Sequence, residues 1–133
     1  MATSRRRQVR ERAHDRCEYC ALPQDCTVLP HAVDHIRARK HHGLTALDNL
    51  CWSCADNAHK GSNAAGYDPE TGDLVPLFNP RCDTWEDHFA WDGPVLRGKT
   101  PVARATIDVL QINDPDRVEH RRLLIWLGLF PTG

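Results

Sequence analysis

The stretch DNLCWSCADNAHKG, residues 48–61, contains two cysteines, two asparagines, a histidine and a Lys-Gly pair. Cys51 and Cys54 have the Cys-x-x-Cys spacing of half a zinc site, and a second such pair, Cys17 and Cys20, lies upstream. Two pairs of this kind can place four thiolates around one zinc ion. The spacing therefore predicts a structural zinc site made of Cys17, Cys20, Cys51 and Cys54.

The length and composition indicate one compact cytoplasmic domain. With 133 residues and a net charge of −1, the chain can form a modest core and is too neutral to coat nucleic acid indiscriminately. It has no apolar run of about 18 residues that could span a membrane, and no hydrophobic stretch of a secretory signal follows the N-terminal arginines. In the reducing cytoplasm, paired cysteines are more often metal ligands than disulfides.

The charge is distributed unevenly along the chain. Basic residues concentrate in the first 42 positions, whereas acidic residues concentrate in the second half. A basic half on a nearly neutral protein can bind phosphates, although a solvated charged helix explains the pattern equally well. We expect DNA as the partner, bound by basic residues from these segments: Arg5, Arg6, Arg7, Arg37, Arg39, Lys40 and Lys60.

Apolar spacing predicts the elements of the first half. A basic helix is expected at 5–16, a strand interrupted by proline at 27–36, and a polar loop at 37–48. A short strand or turn at 49–54 and a short helix at 55–65 should follow.

Turn and cap residues predict the second half. Hairpins are expected at 66–78 and 84–98, the second with Asp92-Gly93 at its tip. Thr100-Pro101 should begin a helix that runs to about Ile112. Asp114-Pro115 should begin another, which Gly128 should stop.

Asp34 and His35 lie between the two cysteine pairs, within the first predicted strand. At a strand end, this pair can direct the carboxylate toward a metal and the imidazole toward a water. A hard cation such as Mg²⁺ prefers oxygen ligands, which Asp34 and the amide oxygen of Asn57 can supply.

The ordered segments CEYC (17–20), VDHI (33–36), DNL (48–50) and NAHKG (57–61) resemble the HNH endonuclease family. The resemblance continues through GYDPETGDLVPLFNP and WEDHF, and covers about residues 10 to 113. It implies an α+β fold with a ββα-metal (His-Me finger) core, a structural zinc knuckle, extra β-hairpins and C-terminal helices.

The resemblance also implies roles for individual residues. By matching position, His35 would be the general base that activates water for hydrolysis of a DNA phosphodiester bond, and Asn49 would orient its ring. Asp34 and Asn57 would hold a catalytic Mg²⁺ or Mn²⁺ ion. His59 is an alternative ligand or phosphate contact, and Lys60 would neutralise a phosphate.

The sequence departs from the family pattern at the second knuckle. The family usually has Cys-x-x-Cys-Asn-x-x-Lys-Gly, whereas Cys54-Ala-Asp-Asn57 lacks the last cysteine. Cys54 would then be the third zinc ligand, and the fourth would be either Cys51 or Asp56. The alternative function is a zinc-stapled nucleic-acid-binding module that is catalytically weak or inactive.

We expect a single domain over residues 1–133. Its parts are a basic helix and first zinc knuckle (1–20), the ββα-metal core (27–65), a β-hairpin extension (66–98) and C-terminal helices (100–128). The apolar residues of the second hairpin and the last helix should form core: Trp85, Phe89, Trp91, Leu123, Leu124, Trp126 and Leu127.

Overall fold

The computed structural model describes residues 3–131, which form a mixed α and β structure. Its strands pair into three separate two-stranded antiparallel sheets. None of the helices in this part of the chain is long and apolar enough to cross a membrane. The elements in chain order are α1 (Thr3–Arg12), β1 (Ala32–His35), β2 (Leu50–Ser53), β3 (Ala65–Tyr67), β4 (Leu74–Pro76), α2 (Trp85–His88), β5 (Phe89–Asp92), β6 (Val95–Gly98), α3 (Pro101–Leu110) and α4 (Pro115–Trp126).

The hairpin of β1 and β2 lies at the centre of the expected site. Asp34 pairs with Cys51 and His35 with Leu50, so the Asp-His pair ends β1 next to the second cysteine pair. A 3-10 helix, Ala55–Lys60, follows β2 directly. The order of strand, strand and helix is the one a ββα-metal core requires, and that this hairpin is such a core stays a prediction.

The first strand is shorter than expected. It begins at Ala32, whereas the prediction began at residue 27. Pro30 explains part of the difference, since proline cannot donate a backbone hydrogen bond to a neighbouring strand. The chain before it instead forms a 3-10 turn at Gln24–Cys26.

The basic helix α1 packs on β2 through a small apolar cluster of Val9, Leu50 and Trp52. It ends at Arg12 rather than at residue 16, so the predicted helix was too long. The cause is local: His14 and Asp15 adopt left-handed backbone conformations, with φ of 54° and 55°. This reversal lets the Asp15 carboxylate accept a hydrogen bond from the Trp52 indole at 3.0 Å.

Both predicted hairpins and both helix caps are confirmed. Strands β3 and β4 pair, as do β5 and β6, the latter around Asp92 and Gly93. Thr100 accepts a hydrogen bond from Ala103 N at the start of α3, and Asp114 accepts one from Asp116 N at the start of α4. Helix α4 ends at Trp126, and Gly128 follows with a φ of 76°.

The core prediction holds for the hairpin and is wrong for most of α4. Phe89 is buried with Trp85 and Trp91 packed around it, and Leu124 is also buried. Leu123, Trp126 and Leu127 are instead 53%, 81% and 52% exposed. Arg121 and Leu124, three positions apart, are the buried residues of α4, and Ile125 packs partly against the core, whereas Leu123 and Trp126 lie on the exposed side of the helix.

Candidate functional site

Three thiols meet between the first knuckle and the end of β2. The sulfur atoms of Cys17, Cys20 and Cys54 all lie within 4.8 Å of one another, and all three residues are buried. The Cys20 and Cys54 sulfurs are 3.6 Å apart. Tetrahedral zinc with Zn–S bonds of about 2.3 Å would separate its sulfur ligands by about 3.8 Å. These three cysteines, which we call the cysteine cluster, therefore fit a metal such as zinc in both chemistry and spacing.

The three thiols of the cysteine cluster differ in the direction in which their pKa is shifted. Hydrogen bonds with Cys17 and Cys54 lower the pKa of the Cys20 thiol well below its ordinary value. Burial raises the pKa of the Cys17 thiol to about 12, and hydrogen bonding to Cys17 and Cys20 raises the pKa of Cys54. Since a metal is bound by thiolates, its binding must release protons from the cluster.

The structure does not bring Cys51 into the cysteine cluster. Its thiol lies 3.5 Å from the Tyr19 hydroxyl and 3.7 Å from the Asp34 carboxylate. The strand register explains this position, because Cys51 is the direct partner of Asp34 across the hairpin. Burial raises the pKa of the Cys51 thiol well above its ordinary value.

Asp56, the other expected fourth ligand, is exposed and also lies outside the cluster. Its backbone carbonyl accepts a hydrogen bond from Arg117 at 3.3 Å. Neither of the two residues expected to replace the missing cysteine is therefore placed with the other three thiols.

Asn57 is the polar side chain that lies against the cysteine cluster. Its amide nitrogen donates to Cys17 Sγ at 3.0 Å, and Arg117 donates to its amide oxygen at 3.0 Å. Both amide atoms are engaged there, although Asn57 was expected to join Asp34 on a catalytic ion. Arg117 also approaches Cys54 Sγ, at 3.9 Å. Nothing in the local sequence marks Arg117 as part of this site, because it lies 60 positions from Asn57 along the chain.

Asp34 forms an ion pair with Lys60. The Lys60 ammonium lies 3.0 Å from Asp34 Oδ2, and the Tyr19 hydroxyl donates to the same oxygen at 3.2 Å. Lys60 is only 3% exposed, so the structure places it as an internal counter-ion and not at a surface where it could meet a phosphate.

The expected ligands do not form a ready site for Mg²⁺ or Mn²⁺. Such ions need several oxygen ligands, whereas the Asp34 carboxylate has an ammonium partner and Asn57 is held at the cysteine cluster. His59 is exposed. Within residues 3–131, the cysteine cluster is the only group of three or more Cys, His, Asp or Glu side chains close enough to share an ion.

His35 is oriented by Thr45, a residue that the sequence did not predict to be part of the site. Its Nε2 lies 2.9 Å from the Thr45 hydroxyl. Burial lowers the pKa of the His35 imidazole below its ordinary value, so the ring is neutral at neutral pH. A threonine in a polar loop carries no signal for this role, because it is a common loop residue.

Asn49 supports the loop and not the His35 ring, which corrects the expected ring contact. Its amide nitrogen donates to the carbonyls of Arg37 and Leu44 at 3.0 and 2.8 Å. Its amide oxygen accepts from Arg37 N at 2.8 Å. These three bonds close the loop on which Thr45 lies. Gly43 is also required there, since a Cβ at this position would overlap the Arg37 carbonyl.

The same loop carries a basic surface next to His35. A 3-10 turn at Arg39–His41 follows β1 closely, and the charge of Arg39 contributes to lowering the pKa of His35. The basic side chains of this loop are exposed, and we call them the basic loop: Arg37, Arg39, Lys40, His41 and His42.

The second group of expected DNA-binding residues lies on α1. Arg6 and Arg7 are exposed, whereas Arg5 is half-buried. The guanidinium of Arg6 lies over the Trp52 ring, 4.9 Å from its centroid. The Arg6 side chain of α1 therefore also packs against Trp52 of the β1–β2 hairpin.

The fold and site define a small mixed α/β protein with a buried cysteine cluster beside a β-hairpin. No protein-family model matches the chain, and no solved structure matches it significantly. The chain is similar to Septu protein PtuB from Bacillus thuringiensis, with 28% identity over 118 residues. The match covers 86% of this chain and 43% of the relative, so the chain spans less than half of the relative's length.

Proposed function

We propose that this chain binds DNA and hydrolyses its phosphodiester bonds, with His35 as the general base. The observation that carries the proposal is the position of His35. Its imidazole ends β1, is fixed by the Thr45 hydroxyl at 2.9 Å, and adjoins the exposed basic loop. A base held next to a phosphate-binding surface is the arrangement that hydrolysis of a phosphodiester requires.

The reaction needs one proton acceptor and one bound water. When Nε2 of His35 carries the ring proton, Thr45 accepts its hydrogen bond and Nδ1 keeps a free lone pair. Nδ1 takes a proton from the water while the water oxygen forms a bond to phosphorus. The bond from phosphorus to the 3′ oxygen then breaks, and this oxygen takes a proton from solvent water, which leaves a 5′ phosphate and a 3′ hydroxyl.

The basic loop supplies electrostatic attraction for the substrate. Arginine and lysine side chains bind backbone phosphates independently of sequence. Because Arg37, Arg39 and Lys40 are exposed and follow His35 within five residues, a bound backbone would pass close to the base.

The HNH resemblance also predicts a divalent ion at Asp34. The expected ligands do not fit such an ion, because Asp34 is paired with Lys60 and Asn57 is held by Arg117 at the cysteine cluster. The zinc expected from the cysteine pairs would be held by Cys17, Cys20 and Cys54. It would tie the first knuckle to the end of β2, which keeps the hairpin in place.

The similarity to Septu protein PtuB includes this site. A match over 86% of the chain must contain the segment from Asp34 to Asn57. The hairpin and its basic loop therefore belong to the region that the two proteins share.

A nucleic-acid-binding module without turnover is the second candidate. It is favoured by the Lys60–Asp34 ion pair, which neutralises the carboxylate that a catalytic ion would need.

A cleavage assay on plasmid DNA with Mg²⁺, Mn²⁺ or EDTA distinguishes the two functions. His35→Ala should lower the cleavage rate by about 10² to 10⁴-fold while DNA affinity is kept. His14→Ala is the matched control, because His14 is exposed and lies outside the hairpin. Equal rates in wild type and His35→Ala would remove His35 from the reaction. DNA binding by wild type without cleavage in any ion would support the binding module.

A further inference from the structure

Asn57 occupies the sequence position of a knuckle cysteine. Cys17 and Cys20 are separated by two residues, and Cys54 and Asn57 are separated in the same way. Both turns bring their residues to the same place, since Cys54 joins the cysteine cluster and Asn57 contacts Cys17. We propose that Asn57 takes the place of the fourth knuckle cysteine, so that a metal here is held by three thiolates beside Arg117.

The burial of Asn57 supports this assignment. Asn57 is 4% exposed, as deep as Cys54, and its amide nitrogen is 3.0 Å from Cys17 Sγ. Its backbone N–H also donates to the Cys54 carbonyl at 3.1 Å, which forms the turn that points the side chain inward. Because the Asn57 side chain is buried and donates a hydrogen bond to Cys17, it forms part of the cysteine-cluster site.

Arg117 fixes the orientation of the Asn57 amide. Because its guanidinium donates to the amide oxygen, the amide N–H₂ group faces the sulfur. In this orientation Asn57 donates a hydrogen bond to a thiolate and does not offer its oxygen to a metal. Hydrogen bonds of this kind to an ionised acceptor are stronger than neutral ones.

The charges at the site agree with three thiolates. Three thiolates and one Zn²⁺ leave a net charge of −1, which the guanidinium of Arg117 balances. Arg117 is held in place by further donation to the Leu110 carbonyl at 2.8 Å. With a fourth thiolate the net charge would be −2, and the single guanidinium of Arg117 would leave one buried negative charge unbalanced.

Cobalt substitution tests the number of thiolates directly. Each thiolate contributes sulfur-to-cobalt charge-transfer absorption, so wild type should show the intensity of three. Asn57→Cys should raise this intensity per bound cobalt by about one third and should tighten metal binding. Cys51→Ser, the matched control, should leave the spectrum and the metal content unchanged.

Two results would overturn the inference. Loss of absorption in Cys51→Ser would make Cys51 the fourth ligand, and an unchanged spectrum in folded Asn57→Cys would place Asn57 away from the metal. If Asn57→Cys does not fold, the wild-type intensity and the Cys51→Ser comparison decide the number of thiolates without it. Circular dichroism of each variant establishes whether it is folded. None of these measurements depends on DNA cleavage, so the inference stands or fails separately from the proposed nuclease.

Discussion

The Lys60 ammonium lies 3.0 Å from the Asp34 carboxylate and also donates to the His35 carbonyl at 3.2 Å. The lysine side chain is 4% exposed and the aspartate side chain 25%. This one cation therefore touches both residues of the Asp-His pair. A divalent ion that binds Asp34 has to compete with Lys60 for the same oxygen.

Replacing Lys60 by methionine should make the site more receptive to divalent ions. Removing one partner leaves the other charge unpaired, and for buried pairs this costs ~3–5 kcal/mol of unfolding free energy. Because Asp34 keeps some solvent contact, we expect a loss near the lower end. Added Mg²⁺ or Mn²⁺ should restore stability to Lys60→Met, as measured by urea unfolding with and without the ion.

The matched control is the double variant Asp34→Asn with Lys60→Met, which has no charge to compensate. It should be insensitive to the added ion. Equal stabilisation of wild type and Lys60→Met by Mg²⁺ would show that Lys60 does not compete for the Asp34 carboxylate.

Thr45 should be needed for the rate of cleavage and not for DNA binding. Thr45→Val keeps the shape of the side chain but removes the hydroxyl that fixes the His35 ring. We expect the rate constant for cleavage to fall about tenfold or more, since a misoriented base transfers protons poorly. Thr45→Ser retains the hydroxyl and should retain the rate. A similar loss in both variants would indicate that the methyl packing matters and the hydrogen bond does not.

The basic loop should account for part of the salt dependence of DNA binding. Each phosphate contact contributes about 0.9 to the slope of log affinity against log salt. Changing Arg39 and Lys40 together to alanine should reduce this slope by about 2 and weaken binding similarly for all sequences. Alanine at Arg5, Arg6 and Arg7 should also flatten the slope if α1 meets the DNA. A slope unchanged in either set means that those side chains are only solvated.

The elements that could be predicted are those with local signals. The two hairpins, the caps at Thr100 and Asp114 and the stop at Gly128 follow from turn and cap residues within a few positions of one another. The meeting of the two knuckles through Cys17, Cys20 and Cys54 was also predictable, because the cysteine spacing reflects metal geometry.

The parts that could not be predicted depend on contacts between distant residues. Arg117 reaches Asn57 from 60 positions away, and Lys60 reaches the His35 carbonyl from 25 positions away. No local pattern shows that an asparagine will be held by an arginine of the last helix. The exposure of Trp126 has the same origin, because the face that α4 buries is decided by Arg121 and Leu124.

The ion pair between Asp68 and Arg104 should control stability in acid. Asp68 is fully buried in the β3–β4 turn and accepts hydrogen bonds from Arg104 Nε and Nη2 at 2.9 and 2.8 Å. It also accepts from Glu70 N and the Thr71 hydroxyl, both at 3.0 Å. The hydrogen bonds from Arg104 hold the pKa of the Asp68 carboxyl well below its ordinary value.

A carboxyl whose pKa is lower in the folded than in the unfolded state stabilises the fold at pH values above its pKa in the unfolded state, which is near 4. That contribution is lost as the pH falls below about 4, because the unfolded chain then binds the proton more readily. Asp68→Asn should therefore be clearly less stable than wild type at pH 7, and the difference should shrink between about pH 4 and pH 2. Asp92→Asn removes an exposed ion pair with Arg97 and should differ little from wild type at any pH. Thermal unfolding of the three proteins across this range measures the effect, and a difference that stays constant with pH would contradict it.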